Sequence, residues 1–257
     1  MEAQFFAYCQ MQGLETVRSG DIARAFKLTP KQERDLFYRL RSDGWIVRLR
    51  RGLYLVPRKL PPGGAWMPDA AVVLAELMKD CGGRYQLCGP NAFHFWRFDD
   101  QVPNRVYAYN NRLSGERTIG TLSFTFIRVG GDRLGATVRE RTAAGITLVV
   151  GSKARVLMDA IYDWKRFNGI PRAYGWIREE AKCNADVAAE LIRVCTEFGN
   201  QGTIRRIGFI LKTCGTADRL LRRLRGKLRS TSLIPLVPEQ PKRGKIDREW
   251  GVIVNAV

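Results

Sequence analysis

Residues 29–56 read TPKQERDLFYRLRSDGWIVRLRRGLYLV, and local signals within them decide how the N-terminal region folds. Thr29, Pro30 and Gln32 combine an N-cap hydroxyl, a first-turn proline and a glutamine at the third helical position, the arrangement of a capping box. A helix therefore starts at Pro30. At 100° per residue Leu36, Phe37 and Leu40 share one apolar arc, while Lys31, Arg34, Tyr38 and Arg41 share the opposite one. One side packs and the other is cationic with an aromatic ring. Gly44 ends the helix, and residues 45–56 then read as two strands of β-branched and large apolar residues around Arg50, Arg51 and Gly52. This predicts a hairpin with arginines at its tip.

Working upstream, Ala3 to Gln12 carries Phe5, Phe6 and Cys9, and Asp21 to Phe26 carries Ile22, Ala23 and Phe26, each at helical spacing. Helix, helix, cationic helix and basic hairpin is the order of a winged helix-turn-helix. In that module the third helix enters the major groove, so Lys31, Gln32, Arg34 and Tyr38 fall near base edges, with Arg41 on the same cationic arc. Arg34 has the fork that pairs with guanine and Gln32 the amide that pairs with adenine. Arg48, Arg50 and Arg51 on the wing are placed to meet phosphate or the minor groove, which positions the domain without reading sequence. Two blander readings stay open: a solvated cationic face, and a winged helix used for protein contacts.

Downstream, four prolines and two glycines in Pro57 to Pro68 exclude regular helix and central strand. We expect domains at 1–60 and 69–257 with a linker at 61–68. The second domain begins with a helix at Asp69 to Lys79, a strand at Tyr85 to Cys88 and a helix from Pro90 to Phe98. Strand patterns follow at Arg105 to Tyr109, Leu122 to Val129 and Ile146 to Val150. From Ser152 the period turns helical through Trp164, Trp176 to Ala181, Ala185 to Phe198, Thr203 to Leu211 and Ala217 to Arg229. Short apolar runs at Leu233 to Val237 and Val252 to Val254 read as late strands. The fold class expected is α+β or mixed α/β, an N-terminal winged helix followed by a larger mixed α/β domain.

Thr203 to Arg229 holds nine Lys and Arg against Asp218 alone. Leu220, Leu221, Leu224 and Leu228 form its apolar stripe. We expect Arg205, Arg206, Arg219, Arg222, Arg223, Arg225 and Lys227 to form a second basic surface, either a site for an anion or an ordinary charged face. An interspersed acidic residue would normally relieve such repulsion.

Across 257 residues, 43 Lys and Arg against 25 Asp and Glu give a formal charge of +18. A field of that sign attracts polyanions, and 45% apolar residues suffice for cores. Disorder is excluded as the main state. The aliphatic run near Ile146 to Val150 is far short of the ~20 residues a membrane helix needs, and the N-terminus lacks a signal-peptide pattern. The expectation is a cytoplasmic protein without a membrane partner. Six cysteines at irregular spacing, without a C-x-x-C pair, read as buried reduced thiols. No metal or cofactor is expected. The phosphate-cradling glycine motif is absent, and Asp163-Trp-Lys165 and Glu180-Ala-Lys182 have nuclease-like composition but helical patterns. His94 lies in an aromatic run without a second histidine.

The stretch from Gly20 to Val56 resembles the N-terminal winged helix of AbiEi-type antitoxins. The residues that carry the likeness are Leu40, Gly44, Trp45, Arg51, Gly52, Leu53 and Tyr54. YQLCGPNAFHFW (residues 85–96), ARVLMDAIYD (154–163) and TIRRIGFILKTCG (203–215) are similar to later family segments, in the same order. The tail after Ser230 has no counterpart. The resemblance implies a non-enzymatic transcriptional autorepressor and antitoxin of a type IV toxin–antitoxin, abortive-infection system. Its implied partners are double-stranded operator DNA and a functionally linked nucleotidyltransferase-like toxin, with no stable complex required. The alternative is a nuclease with a winged-helix targeting domain.

Overall fold

A computed structural model describes residues 1–60, 66–141, 145–229 and 232–255. The described chain is mixed α/β and divides into two compact units. One comprises Met1–Tyr85, Asn104–Val129 and Arg141–Leu148; the other comprises Gln86–Pro103, Gly130–Glu140 and Val149–Val257. The first unit thus runs past the segment 61–68 expected as a linker, of which 61–65 lie outside the described residues. The reason is visible in the packing. The Trp66 N–H donates to the Gly44 carbonyl at 2.9 Å, and the chain returns at 104–129 to lie beside the wing.

The first unit opens with α1 (Glu2–Met11), β1 (Thr16–Arg18), α2 (Asp21–Phe26), α3 (Pro30–Ser42), β2 (Val47–Arg50) and β3 (Leu53–Leu55). The Thr29 capping box forms as the sequence predicts. Leu36, Phe37 and Leu40 are buried with Phe5, Phe6, Cys9, Val17, Ile22, Ile46 and Val56 in one cluster. Phe37 meets Phe5 edge-on at 6.1 Å and stacks on Tyr54 at 4.4 Å, so α3 is fixed against both α1 and the hairpin. The three strands form an antiparallel sheet in the order β1-β3-β2. This is the element order of a winged helix with one strand more than the sequence suggests. β1 is only three residues long, too short to show an alternation.

Next come α4 (Ala70–Cys81), β4 (Tyr85–Leu87), α5 (Gly89–Phe95), β5 (Val106–Asn110), β6 (Gly115–Ile119) and β7 (Leu122–Arg128). β7 pairs parallel with β5 and antiparallel with β6. α4 and the β5–β7 set belong to the first unit.

The second unit takes α5, then β8 (Thr137–Arg141) and β9 (Thr147–Gly151) in their larger part, α6 (Lys153–Tyr162), α7 (Trp164–Phe167), α8 (Arg172–Cys183), α9 (Ala185–Phe198), α10 (Gln201–Thr213) and α11 (Asp218–Arg225). It closes with β10 (Ile234–Pro235), β11 (Lys245–Asp247) and β12 (Val252–Val254), in which β12 is central. α6 is buried on all sides from Ala154 to Ile161. That burial includes Arg155, whose Nε donates to Asp159 at 2.8 Å while its other nitrogens reach the carbonyls of Arg133 and Gly135. Arg133 binds the same carboxylate at 2.8 Å, so two guanidiniums share one buried carboxylate.

Two further segments singled out in the sequence owe their glycines to close packing. A Cβ on Gly89 would stand 2.4 Å from the Phe167 ring, and one on Gly208 would stand 2.1 Å from the Trp250 indole. Trp250 is fully buried, so the segment 232–255 packs as part of this unit. No disulfide forms among the described residues; Cys9, Cys88 and Cys195 are buried, whereas Cys183 is exposed. Burial raises the Cys9 thiol to about 11 and raises Cys195 as well. No described helix is long and apolar enough to cross a membrane.

Candidate nucleic-acid interface

The N-cap of α2 is Gly20, which has no side chain to cap the helix. The next helix supplies the missing acceptor. Glu33, buried on α3, takes the Gly20 N–H at 2.8 and 3.0 Å and the Ala23 N–H at 2.9 Å. A carboxylate at a helix N-terminus also meets the positive end of its dipole. Glu33 therefore fixes the angle between the two helices, a role the sequence reading missed. The signal available was a glycine in the N-cap position upstream and an acid inside an otherwise cationic helix face.

Between α3 and the wing lies an open cleft of about 620 Å³, lined among others by Arg34, Tyr38, Arg41, Arg48, Arg51 and Tyr54. Five of the eight residues expected to bind DNA are thus brought together. Tyr38 stands 64% exposed. Lys31 and Gln32 are exposed on the first turn of α3, outside the cleft. The Gln32 side-chain Oε1 accepts the Thr29 N–H at 2.8 Å, so its amide is held in the cap.

Arg50 has a different place. A β-bulge separates it from Arg48: Arg48 pairs with Tyr54 and Arg50 with Leu53. Leu53 also pairs with Arg18 on the other side, so Arg18 and Arg50 flank it from the two edge strands. Both guanidiniums converge on Asp80 at the end of α4, each at 2.5 Å. The Arg50 hydrogen bond, with Arg18 beside it, holds the Asp80 carboxyl below the usual carboxylate range. Arg50, expected on the phosphate-facing wing, instead braces the sheet against α4.

Nine arginines lie in residues 1–60, and they divide cleanly. Arg18 and Arg50 pair with Asp80, Arg24 with Asp21, Arg39 with Glu2, and Arg58 with Glu15. The remaining four, Arg34, Arg41, Arg48 and Arg51, have no ion pair among the described residues, and all four line the cleft. The one carboxylate in the lining, Glu33, is already occupied by the α2 amides.

The second basic surface is smaller than expected. Arg205 and Arg206 are buried, because α10 packs against α6, α8, α9, α11 and β12. Arg205 binds the Ser232 carbonyl, and Arg206 binds those of Pro235 at 3.0 Å and Leu236 at 3.2 Å. They anchor the C-terminal segment. Arg225 pairs with Asp218 and Glu249, and Arg222 with Asp218. Arg219, Arg223 and Lys227 are exposed with no ion pair among the described residues. The helical residues proposed for nuclease chemistry are equally placed: Glu180 lies in α8 and takes Lys153 at 2.9 Å.

Residues 7–57 match the family described as "Transcriptional regulator, AbiEi antitoxin", which bears out the resemblance over the helices and wing. The family is regulatory. No curated protein matches the chain. Among solved structures, the fold is similar to that of the RV2827C protein from Mycobacterium tuberculosis, with a TM-score of 0.58 and 14% identity over 97% of this chain and 89% of that one. At that identity the likeness concerns the fold alone, and it extends over both units.

Proposed function

We propose that this chain is a DNA-binding transcriptional regulator that seats a duplex in the cleft between α3 and the wing. The observation that carries the reading is the division of the N-terminal arginines. A merely solvated basic face would distribute carboxylate partners without regard to position. Here the partners go to every arginine off the cleft and to none on it, leaving four guanidiniums without an ion pair for an external anion. A duplex presents phosphates along its backbone and acceptors on guanine edges, which suits arginine at both. Arg34 and Tyr38 on α3 face base edges in this reading, whereas Arg48 and Arg51 take phosphate. Of the seven residues expected on the second basic surface, Arg219, Arg223 and Lys227 are read as open to an anion.

The match over residues 7–57 supports a finer reading: an antitoxin that represses its own operon in a type IV toxin–antitoxin, abortive-infection system. The toxin is of the nucleotidyltransferase kind, linked by function without a stable complex. The test is incubation of the full chain with labelled DNA from its own promoter and with random duplex, with and without Mg²⁺. The expected result is a salt-sensitive shift, tighter on the promoter, with the DNA intact. Strand scission would favour the nuclease reading, and equal binding to both duplexes would remove the regulator.

A further inference from the structure

A second cleft is lined by Arg41, Val47 and Arg48 together with Thr118, Gly120 and Thr121. Arg41 and Arg48 line both clefts. They therefore stand on the rim where the two meet. The new wall is the β6–β7 turn, which joins Ile119 to Leu122 through Gly120 and Thr121. Gly120 has φ +60°, a conformation costly for other residues, and a Cβ there would sit 3.4 Å from Val47 of β2. The turn is thus seated on the wing strand rather than free of it. Thr118 and Thr121 are exposed, and the lining contains no carboxylate.

We infer that the nucleic-acid surface continues from the α3–wing cleft over Arg41 and Arg48 onto the β6–β7 turn, whose Thr118 and Thr121 hydroxyls meet the phosphates of duplex flanking the read site. Hydroxyls and arginines are ordinary phosphate donors that position a duplex without reading it. The inference rests on the DNA reading above, and it lengthens the contacted stretch of duplex beyond what a winged helix alone would cover.

The experiment compares full-length wild type, Thr118→Glu/Thr121→Glu, Thr121→Arg and a charge-matched control, Gln10→Glu/Gln12→Glu, on promoter and random duplex across a salt series. The paired glutamates should weaken both duplexes by about tenfold or more, and Thr121→Arg should tighten both and steepen the salt slope by about one unit. The control, at exposed positions on and beside α1, should change affinity far less. If the wild type binds and the turn variants behave like the control, the extension is wrong and the α3–wing reading stands. If the wild type fails to bind any duplex, the underlying reading fails first. Unfolding midpoints in urea separate either outcome from loss of fold, since both threonines are exposed.

Discussion

Arg48 and Arg50 sit two residues apart in one strand, yet one lines the cleft and the other is clamped by Asp80. Residue type was legible in the sequence; pairing was not, because Asp80 is 30 residues away from Arg50 and a bulge shifts the register of β2 between the two arginines. The same distinction separates Arg205 and Arg206 from the exposed basic residues of α11. Three outcomes follow at this scale. Arg34→Ala should lose roughly 1–3 kcal/mol on the promoter, while Arg51→Ala weakens all duplexes and lowers the salt slope by about one; titrations at several salt concentrations separate the two. Glu33→Gln should destabilise the chain by about 1–3 kcal/mol, since it weakens the acceptor of two helix amides; urea unfolding reads this directly. Asp80 has a folded pKa below its unfolded value of about 3.9, so its contribution is complete above that pH and fades as pH falls through the folded value. The stability gap between wild type and Asp80→Asn should accordingly be widest near neutrality and close in acid. A gap that widens on acidification would contradict the clamp.

Among elements, α3 was the most legible, because its cap, its proline and its apolar arc all reported the same helix. Leu40 at its inner face is fully buried, so Leu40→Ala should cost about 2–5 kcal/mol of stability. The short strands were the least legible. β1, β6 and β11 carry too few alternating apolar residues to stand out, and they form because a neighbouring strand offers them a partner. α10 was expected to carry two arginines of a basic surface, whereas Thr203 to Leu211 are buried and both guanidiniums donate to carbonyls. Gly208 on that helix makes room for Trp250, so Gly208→Ala should lower the unfolding midpoint and expose the indole to quenchers. An unchanged Trp250 environment would show that this packing does not hold the C-terminal segment in place.

For the whole molecule, the excess of 18 positive charges signalled a polyanion partner, but charge alone did not say where it binds. In the proposed reading the arginines left unpaired within residues 1–60 mark the place, and the family match over residues 7–57 covers that same region. The domain boundary was less legible: proline and glycine mark a break in regular structure near 61–68, while compaction follows contacts made by chain that returns much later. The most direct test of the central claim is the affinity for promoter DNA of the variant carrying alanine at Arg34, Arg41, Arg48 and Arg51, set beside a variant carrying alanine at the ion-paired, exposed Arg24 and Arg39, both with unfolding midpoints in hand. The cleft variant should lose specific binding and most of its salt dependence while remaining folded, and the paired variant should bind nearly as the wild type does. Folded proteins that bind equally well in both cases would contradict the account.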